Sequence, residues 1–185
     1  MPVQIGAHPA SFTDPTRLLS DCHRRIEMFL KVLQGVATVA DCPLTGVARK
    51  SLDTALHYFR EAAPRHTADE EESLFPRLRR MEEPDVEVVF SRLKLLEDDH
   101  RQVASLHARV DLLGQQWLKI GFLTPEEAGE FRPSVAGLAA TYDEHIHVED
   151  TVVFPLAAKL LSSEEKVAIG REMADRRNVS SLLHK

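Results

Sequence analysis

The strongest constraint on the fold is an apolar residue at every third or fourth position in four long stretches of the chain. This spacing puts the apolar residues on one side of a helix, so each stretch predicts an amphipathic helix with a face to bury. Each face also carries a histidine near its middle, and two faces carry a glutamate four residues later; these residues are His23, His66, His100, His145, Glu70 and Glu149. The faces that should form a core therefore contain polar groups that an ordinary core lacks.

Prolines, glycines and capping residues divide the chain into helical segments. Asp14 followed by Pro15 is typical of a helix start, and Ser162 with Glu165 has the spacing of a capping box. Proline within a helix removes a backbone donor, so a kink or a shift of register is expected at Pro64 and Pro76, and a break near Pro133. The predicted helices cover residues 14–40, 46–81, 85–120, 124–161 and 162–177.

No stretch shows the alternation of a strand over a useful length, so the chain is predicted to be all-α. Four long helices joined by short links favour an antiparallel four-helix bundle. We expect an N-terminal arm over residues 1–13, the bundle over residues 14–161, and an additional C-terminal helix and tail over residues 162–185. The additional helix is a candidate to cover one end of the bundle or to form a homodimer.

Composition limits the functional classes. The chain has 185 residues, 43% of them hydrophobic, and a formal net charge of -6. The acidic balance argues against binding to nucleic acid or to an anionic membrane, because both need concentrated positive charge. No apolar run approaches the roughly 18 residues needed to span a bilayer. Two cysteines do not make a disulfide framework, and the start of the chain does not read as a secretory signal, so a cytoplasmic location is expected.

The polar residues on the apolar faces predict a site for cations. Burying an unpaired carboxylate is unfavourable by several kcal/mol, and two glutamates in one core would also repel each other. Histidine and glutamate four residues apart lie on the same side of a helix, one turn apart, so both can reach one metal centre. In the fourth helix the inward face is expected to read Val135, Leu138, Tyr142, His145, Glu149, Val152 and Leu156.

The chain repeats this pattern. The segment from Leu18 to Arg24 matches the segment from Leu95 to Arg101 at five of seven positions. The frame His-x3-Glu-acid-x3-Phe-Pro also occurs twice, beginning at His66 and at His145. Two helical hairpins related by approximate twofold symmetry would bring together four imidazoles and two carboxylates. Such a set suits two transition metals, with two histidines each and both glutamates bridging.

These motifs resemble the hemerythrin-like, HHE cation-binding proteins, and the resemblance covers about residues 15–161. It implies a four-helix bundle with a non-haem di-iron centre whose ions are joined by an oxo or hydroxo bridge. Carried over by position, the resemblance implies iron ligation by His23, His66, His100 and His145, and bridging by Glu70 and Glu149.

The chain departs from the oxygen carriers of that family at two positions. The carriers have a second histidine four residues along the third helix, where this chain has Ala104. They also take their last carboxylate five residues after the histidine of the fourth helix, which is Asp150 here. The chain is more similar to the members with four histidines and two glutamates.

Several further residues are candidates for the site. Tyr142 precedes His145 by three positions and can place its hydroxyl near the metals, and His107 lies on the same face as His100. Both are also explained as hydrogen-bonded core residues. The candidates for a fifth protein ligand are His107, His57, Glu71 and Asp150. In the acidic run of residues 69–72, only Glu70 is expected inside.

The expected function is the binding or sensing of a small ligand, O2, NO or H2O2, at an open iron position. The alternative is a di-iron enzyme that breaks down peroxide or handles iron as a ferroxidase does. Ferritin-like storage is disfavoured because its Glu-x-x-His motif occurs only at Glu97 and His100. Histidine and carboxylate ligands also leave zinc or manganese open.

Overall fold

The computed structural model describes residues 12–81 and 84–179, with backbone alone for residues 84–90. Most of the expected N-terminal arm and the end of the tail lie outside these residues. The described part consists of helices and the turns that connect them and contains no strand, so the prediction of an all-α chain is confirmed. The elements are α1 (Pro15–Ala37), α2 (Gly46–Glu61), α3 (Ala63–Ala68), π1 (Asp69–Leu74), α4 (Phe75–Leu78), α5 (Pro84–Ile120), α6 (Pro125–Val148), π2 (Glu149–Val153), α7 (Phe154–Leu160) and α8 (Ser163–Arg176).

Local sequence signals explain the starts of three helices. The Asp14 side chain accepts a hydrogen bond from the backbone of Arg17 at the start of α1. Capping boxes begin α6 at Thr124 and α8 at Ser162. The first helix is shorter than expected, since α1 ends at Ala37 and is followed by turns.

Pro133 does not break α6, contrary to expectation. The helix is continuous from Pro125 to Val148, with Pro133 inside it. Phe131 and Val135 are buried on either side of the proline. Packing of this face on the core therefore outweighs the one backbone donor that the proline removes.

The four long helices contact each other in a ring: α1 packs on α2 and α6, and α5 packs on the same two helices. Their apolar side chains form two separate clusters. One contains Leu52, Trp117 and Phe131, and the other contains Leu74, Phe75 and residues of α7 and α8. A layer of buried polar residues on α1, α3, π1, α5, α6 and π2 contains the four histidines and two glutamates of the repeated pattern.

Candidate metal centre

The six residues predicted from the repeated pattern lie together and are buried. Each is at most 7% exposed, and Glu70, Glu149 and His23 are fully inaccessible. They form two groups of four, and within each group the potential ligand atoms lie within 4.8 Å of one another. The first group contains His23, His66, Glu70 and Glu149, and the second contains Glu70, His100, His145 and Glu149. The two glutamates are therefore common to both groups.

Individual distances show how each imidazole faces the carboxylates. The Nε2 atoms of His23 and His145 both lie 3.1 Å from Glu149 Oε2. The Nε2 atom of His66 lies 3.2 Å from Glu70 Oε1, and that of His100 lies 3.4 Å from Glu70 Oε2. At these distances each carboxylate meets one imidazole from each half of the repeat, and His23 Nε2 lies farther from Glu70 Oε1, at 3.9 Å.

These short distances are not satisfied hydrogen bonds. Among the described residues, both oxygens of Glu70, both oxygens of Glu149 and the Nε2 atom of His23 are buried without a hydrogen-bond partner. Leaving a buried polar atom unpaired is unfavourable by about 1–3 kcal/mol, and more if it is charged. Cations shared by the two groups would satisfy these atoms together, so the donor set fits a metal pair.

The two glutamates lie at π-helical turns, which the sequence analysis did not predict. The backbone N–H of Phe75 donates to the carbonyl of Glu70, and that of Phe154 donates to the carbonyl of Glu149. In both copies the next residue is a proline, which has no N–H for the usual bond four residues back. The wider turn is typical of helices interrupted at functional sites. The repeated Phe-Pro dipeptide was the signal for it.

The π turn also changes which residues face inward after Glu149. The predicted inward residue Val152 is 39% exposed, whereas Val153 is fully buried. Likewise, Leu156 is only partly buried and Ala157 is buried. A hydrogen bond that spans five residues instead of four delays the buried face by one position, so the α-helical spacing gave the wrong residues here.

The Nδ1 atoms of His23 and His100 bind carboxylates that lie away from the two groups. Asp150 Oδ1 lies 2.9 Å from His23 Nδ1, and Glu71 Oε1 lies 2.7 Å from His100 Nδ1. Such outer carboxylates fix the ring orientation and the tautomer of a ligating histidine, leaving Nε2 for the metal. Glu71 and Asp150 therefore lie on the far side of the imidazoles and are absent from both groups.

These contacts cross between the hairpins. The acid of the second frame holds His23 of the first hairpin, and the acid of the first frame holds His100 of the second. The phenylalanines of the frames also contact the histidine of the other half of the repeat. The ring centroids of Phe154 and His23 are 5.2 Å apart and the rings stack, and Phe75 is parallel to His100 with ring centroids 6.4 Å apart. Each copy of the repeated frame thus supplies a stacking ring and a hydrogen-bond partner to a histidine of the other half of the repeat, His100 for the first copy and His23 for the second.

The two halves of the repeat differ in the partner of the histidine that begins each frame. Asp99 Oδ2 lies 3.4 Å from His145 Nδ1, a contact that the sequence analysis missed. In the repeat, Cys22 stands where the second copy has Asp99. Among the described residues, the corresponding His66 Nδ1 has no hydrogen-bond partner. The acid before His100 was the available signal.

The environment of the centre shifts the pKa values of its histidines and glutamates in different directions. Burial lowers the pKa of His23, but the hydrogen bond to Asp150 and the nearby carboxylates outweigh burial and raise the pKa to about 9. Burial and the adjacent Glu149 raise the pKa of Glu70 well above its usual value. Burial also raises the pKa of Glu149, but the close imidazoles of His145 and His23 reverse this and lower it. Burial lowers the pKa of His66, so this imidazole is held neutral, as a ligand must be.

The other candidate residues lie outside the two groups. His107 Nε2 and the Tyr142 hydroxyl are 3.0 Å apart and bind each other. Burial lowers the pKa of His107 to about 4 and raises that of Tyr142. His57 is exposed on α2. Neither His107, Tyr142 nor His57 belongs to a four-residue group.

Asp69 was expected on a solvated face, and this is wrong. Its side chain is fully buried and lies 3.0 Å from an Arg176 nitrogen and 2.5 Å from Arg177 Nη2. Arg176 is the last residue of α8 and Arg177 follows it, and α8 packs on π1. The two cations stabilise a carboxylate that the sequence pattern could not place inside, because its partners are far away in the chain.

The helical fold and the two buried groups of histidines and carboxylates together define a candidate metal-binding protein with a site that could hold two ions. The family model of the hemerythrin HHE cation-binding domain matches residues 14–157, and the chain belongs to this family. An uncharacterized protein of Haemophilus influenzae is 23% identical over 92% of this chain and 94% of its own length. Among the described helices, none is long and apolar enough to cross a membrane.

Proposed function

We propose that the chain is a non-haem di-iron protein with an antiparallel four-helix bundle, and that it binds or senses O2, NO or H2O2. The single observation that carries this proposal is the pair of four-residue groups that share Glu70 and Glu149. Each ion would have two imidazoles, from His23 and His66 or from His100 and His145, and would share both carboxylates.

The proposed ligand set has no thiolate, which is consistent with iron among the metals that accept imidazole and carboxylate. Reduced iron held by only four protein donors per ion would retain open positions at which a diatomic molecule or peroxide could bind. The chain supplies the surroundings: the outer acids hold the rings of His23 and His100, and Phe154 and Phe75 cover them on the side of the second apolar cluster. These contacts keep water away and fix each Nε2 atom toward the carboxylates.

Metal analysis of the purified protein, with its ultraviolet–visible spectrum, tests the proposal. We expect about two irons per chain, and an absorption band that disappears with dithionite and returns reversibly in air. His145→Ala should lose iron, whereas His147→Ala should keep it, because His147 is exposed on the same helix. Zinc or manganese as the bound metal, or equal iron in both variants, would contradict the proposal.

A second candidate function is peroxide breakdown, and the position of Glu71 favours it. This carboxylate binds His100 Nδ1 at 2.7 Å, and its side chain is 36% exposed, so it connects the buried imidazole with solvent. A carboxylate in this position can hold and release a proton while a peroxide is cleaved. Turnover of H2O2 by the iron-loaded protein, reduced in Glu71→Gln and lost in His66→Ala, would support it. Binding without turnover would leave the sensing function alone.

A further inference from the structure

A cleft of about 530 Å³ lies between α5 and the α2–α3 segment, beside the candidate metal centre. Phe59, Val103 and Tyr142 form its apolar inner wall, and His100 contributes to its inner end. Ala104 is exposed at its mouth. The cleft therefore leads from solvent to one histidine of the proposed centre.

The size of this cleft exceeds what O2, NO or H2O2 require. A molecule of that size occupies a volume similar to a water molecule, about 30 Å³ in the liquid. Sites for organic ligands have volumes of roughly 300–1,000 Å³, apolar walls and a few polar groups that fix orientation. The dimensions and lining of the cleft match the second description.

The polar groups of the cleft favour a neutral ligand. The His107–Tyr142 pair offers hydrogen bonds without charge, because burial holds the imidazole neutral. Their mutual bond uses only one of the two hydrogen-bonding roles of the Tyr142 hydroxyl. The charges at the rim are paired, with Arg60 Nε 3.3 Å from Asp111 Oδ1. The carboxylates of Glu71 and Glu72 also line the cleft and disfavour an anion.

The aromatic side chains in the wall favour a ring. The ring centroids of Phe59 and His107 are 4.7 Å apart, and those of Phe59 and Tyr142 are 6.5 Å apart. Such a group of rings stacks well on a flat ligand.

We propose that the cleft binds a neutral aromatic alcohol or phenol, with its ring against Phe59 and Val103 and its hydroxyl bonded to the His107–Tyr142 pair. This inference goes beyond the proposed function, because none of the ligand contacts involves the metal. It identifies an organic ligand held next to His100, in addition to the small ligand at the ions.

Calorimetric titration with 2-naphthol tests the proposal, and 2-naphthoate is the matched probe with the same rings and a negative charge. We expect saturable binding of 2-naphthol by both the iron-loaded and the metal-free protein, and binding at least tenfold weaker for 2-naphthoate. Tyr142→Phe keeps the ring and removes the hydroxyl, and should weaken 2-naphthol binding about tenfold. No saturable binding, or a preference for the anion, would overturn the proposal.

Ala104→Trp should abolish 2-naphthol binding by filling the mouth of the cleft. Ala140→Trp is the control, because Ala140 is an exposed alanine on α6 outside the cleft. Iron content is measured in both variants as well, so that a failure of the cleft proposal can be told apart from a failure of the di-iron proposal. Binding of 2-naphthol by a protein that never takes up iron would contradict the di-iron function alone. Unchanged 2-naphthol binding in Ala104→Trp would overturn the cleft proposal alone.

Discussion

Glu70 lies next to a second buried carboxylate, and this proximity has opposite consequences with and without metal. In the metal-free protein, burial and Glu149 raise the pKa of Glu70, so the fold prefers its neutral form. The neutral side chain of glutamine has nearly the same shape as a protonated glutamate. Glu70→Gln should therefore raise the free energy of unfolding of the metal-free protein at pH 8, by about 1–3 kcal/mol. The same variant should lose iron, because it removes a shared anionic ligand.

Urea unfolding of the metal-free protein and iron analysis after loading measure the two effects. Glu144→Gln, which changes an exposed carboxylate on α6, should alter neither. A Glu70→Gln variant that is both less stable without metal and fully loaded with iron would show that Glu70 is an ordinary structural residue.

His107 should make the metal-free protein less stable in acid. Its pKa is lowered by burial from 6.5 to about 4 in the folded protein. Between these values the unfolded chain binds a proton that the folded protein does not, so stability falls as the pH decreases from 6.5 towards 4. The expected loss attributable to this residue between pH 7.5 and pH 5 is about 2 kcal/mol.

Urea unfolding at these two pH values should show a smaller loss for His107→Gln than for the wild-type chain. His57→Gln, at an exposed position on α2, should retain the full loss. Equal losses in all three proteins would mean that His107 is protonated in the folded state at pH 5.

At the scale of elements, α8 extends beyond the residues that the family model matches, yet it contacts the segment that carries Glu70. Arg177 and Arg176 stabilise the buried Asp69, which immediately precedes Glu70. Arg177→Met leaves Arg176 as the remaining cation and should lower the free energy of unfolding by about 2 kcal/mol. Chemical denaturation measures this loss.

Arg171→Met is the matched control, because Arg171 is exposed on the same helix. If the loss comes from the unpaired carboxylate, Asp69→Asn should recover part of it in the double variant. Additive losses in the double variant would show that Arg177 acts through packing instead.

The elements also show where sequence reasoning succeeds and where it fails. The spacing of apolar residues and the capping residues predicted the helices, because both signals depend only on residues that are close together in the sequence. The duplicated pattern indicated that the four histidines and two glutamates lie close together, and the structure brings them together; their role as metal ligands stays a prediction. The π turns were missed because a proline indicates that a helix is interrupted but does not specify which hydrogen bonds form there. For the same reason Val152 was predicted to be buried, whereas Val153 is the buried residue. Asp99 and Asp69 were missed because their partners, His145 and two arginines of α8, are distant in the chain.

In the whole molecule, the layer of histidines and glutamates lies between the two apolar clusters, and Phe75 and Phe154 of the second cluster pack against histidines of the layer. The layer contains buried polar atoms without hydrogen-bond partners and two neighbouring carboxylates, so we expect it to be the least stable part of the fold when no metal is bound. In the proposed di-iron protein, side chains from six elements would be held together by two shared ions.

Amide hydrogen exchange should reveal this difference. Removing the metal should accelerate exchange at least tenfold in π1 and π2, and much less around Leu52 and Trp117, which pack in the cluster containing Phe131. Glu149→Ala in the presence of iron should reproduce the metal-free pattern, because it removes a carboxylate common to both groups. A uniform acceleration along the chain would instead mean that the two clusters unfold as one unit, with the metal stabilising both ends equally.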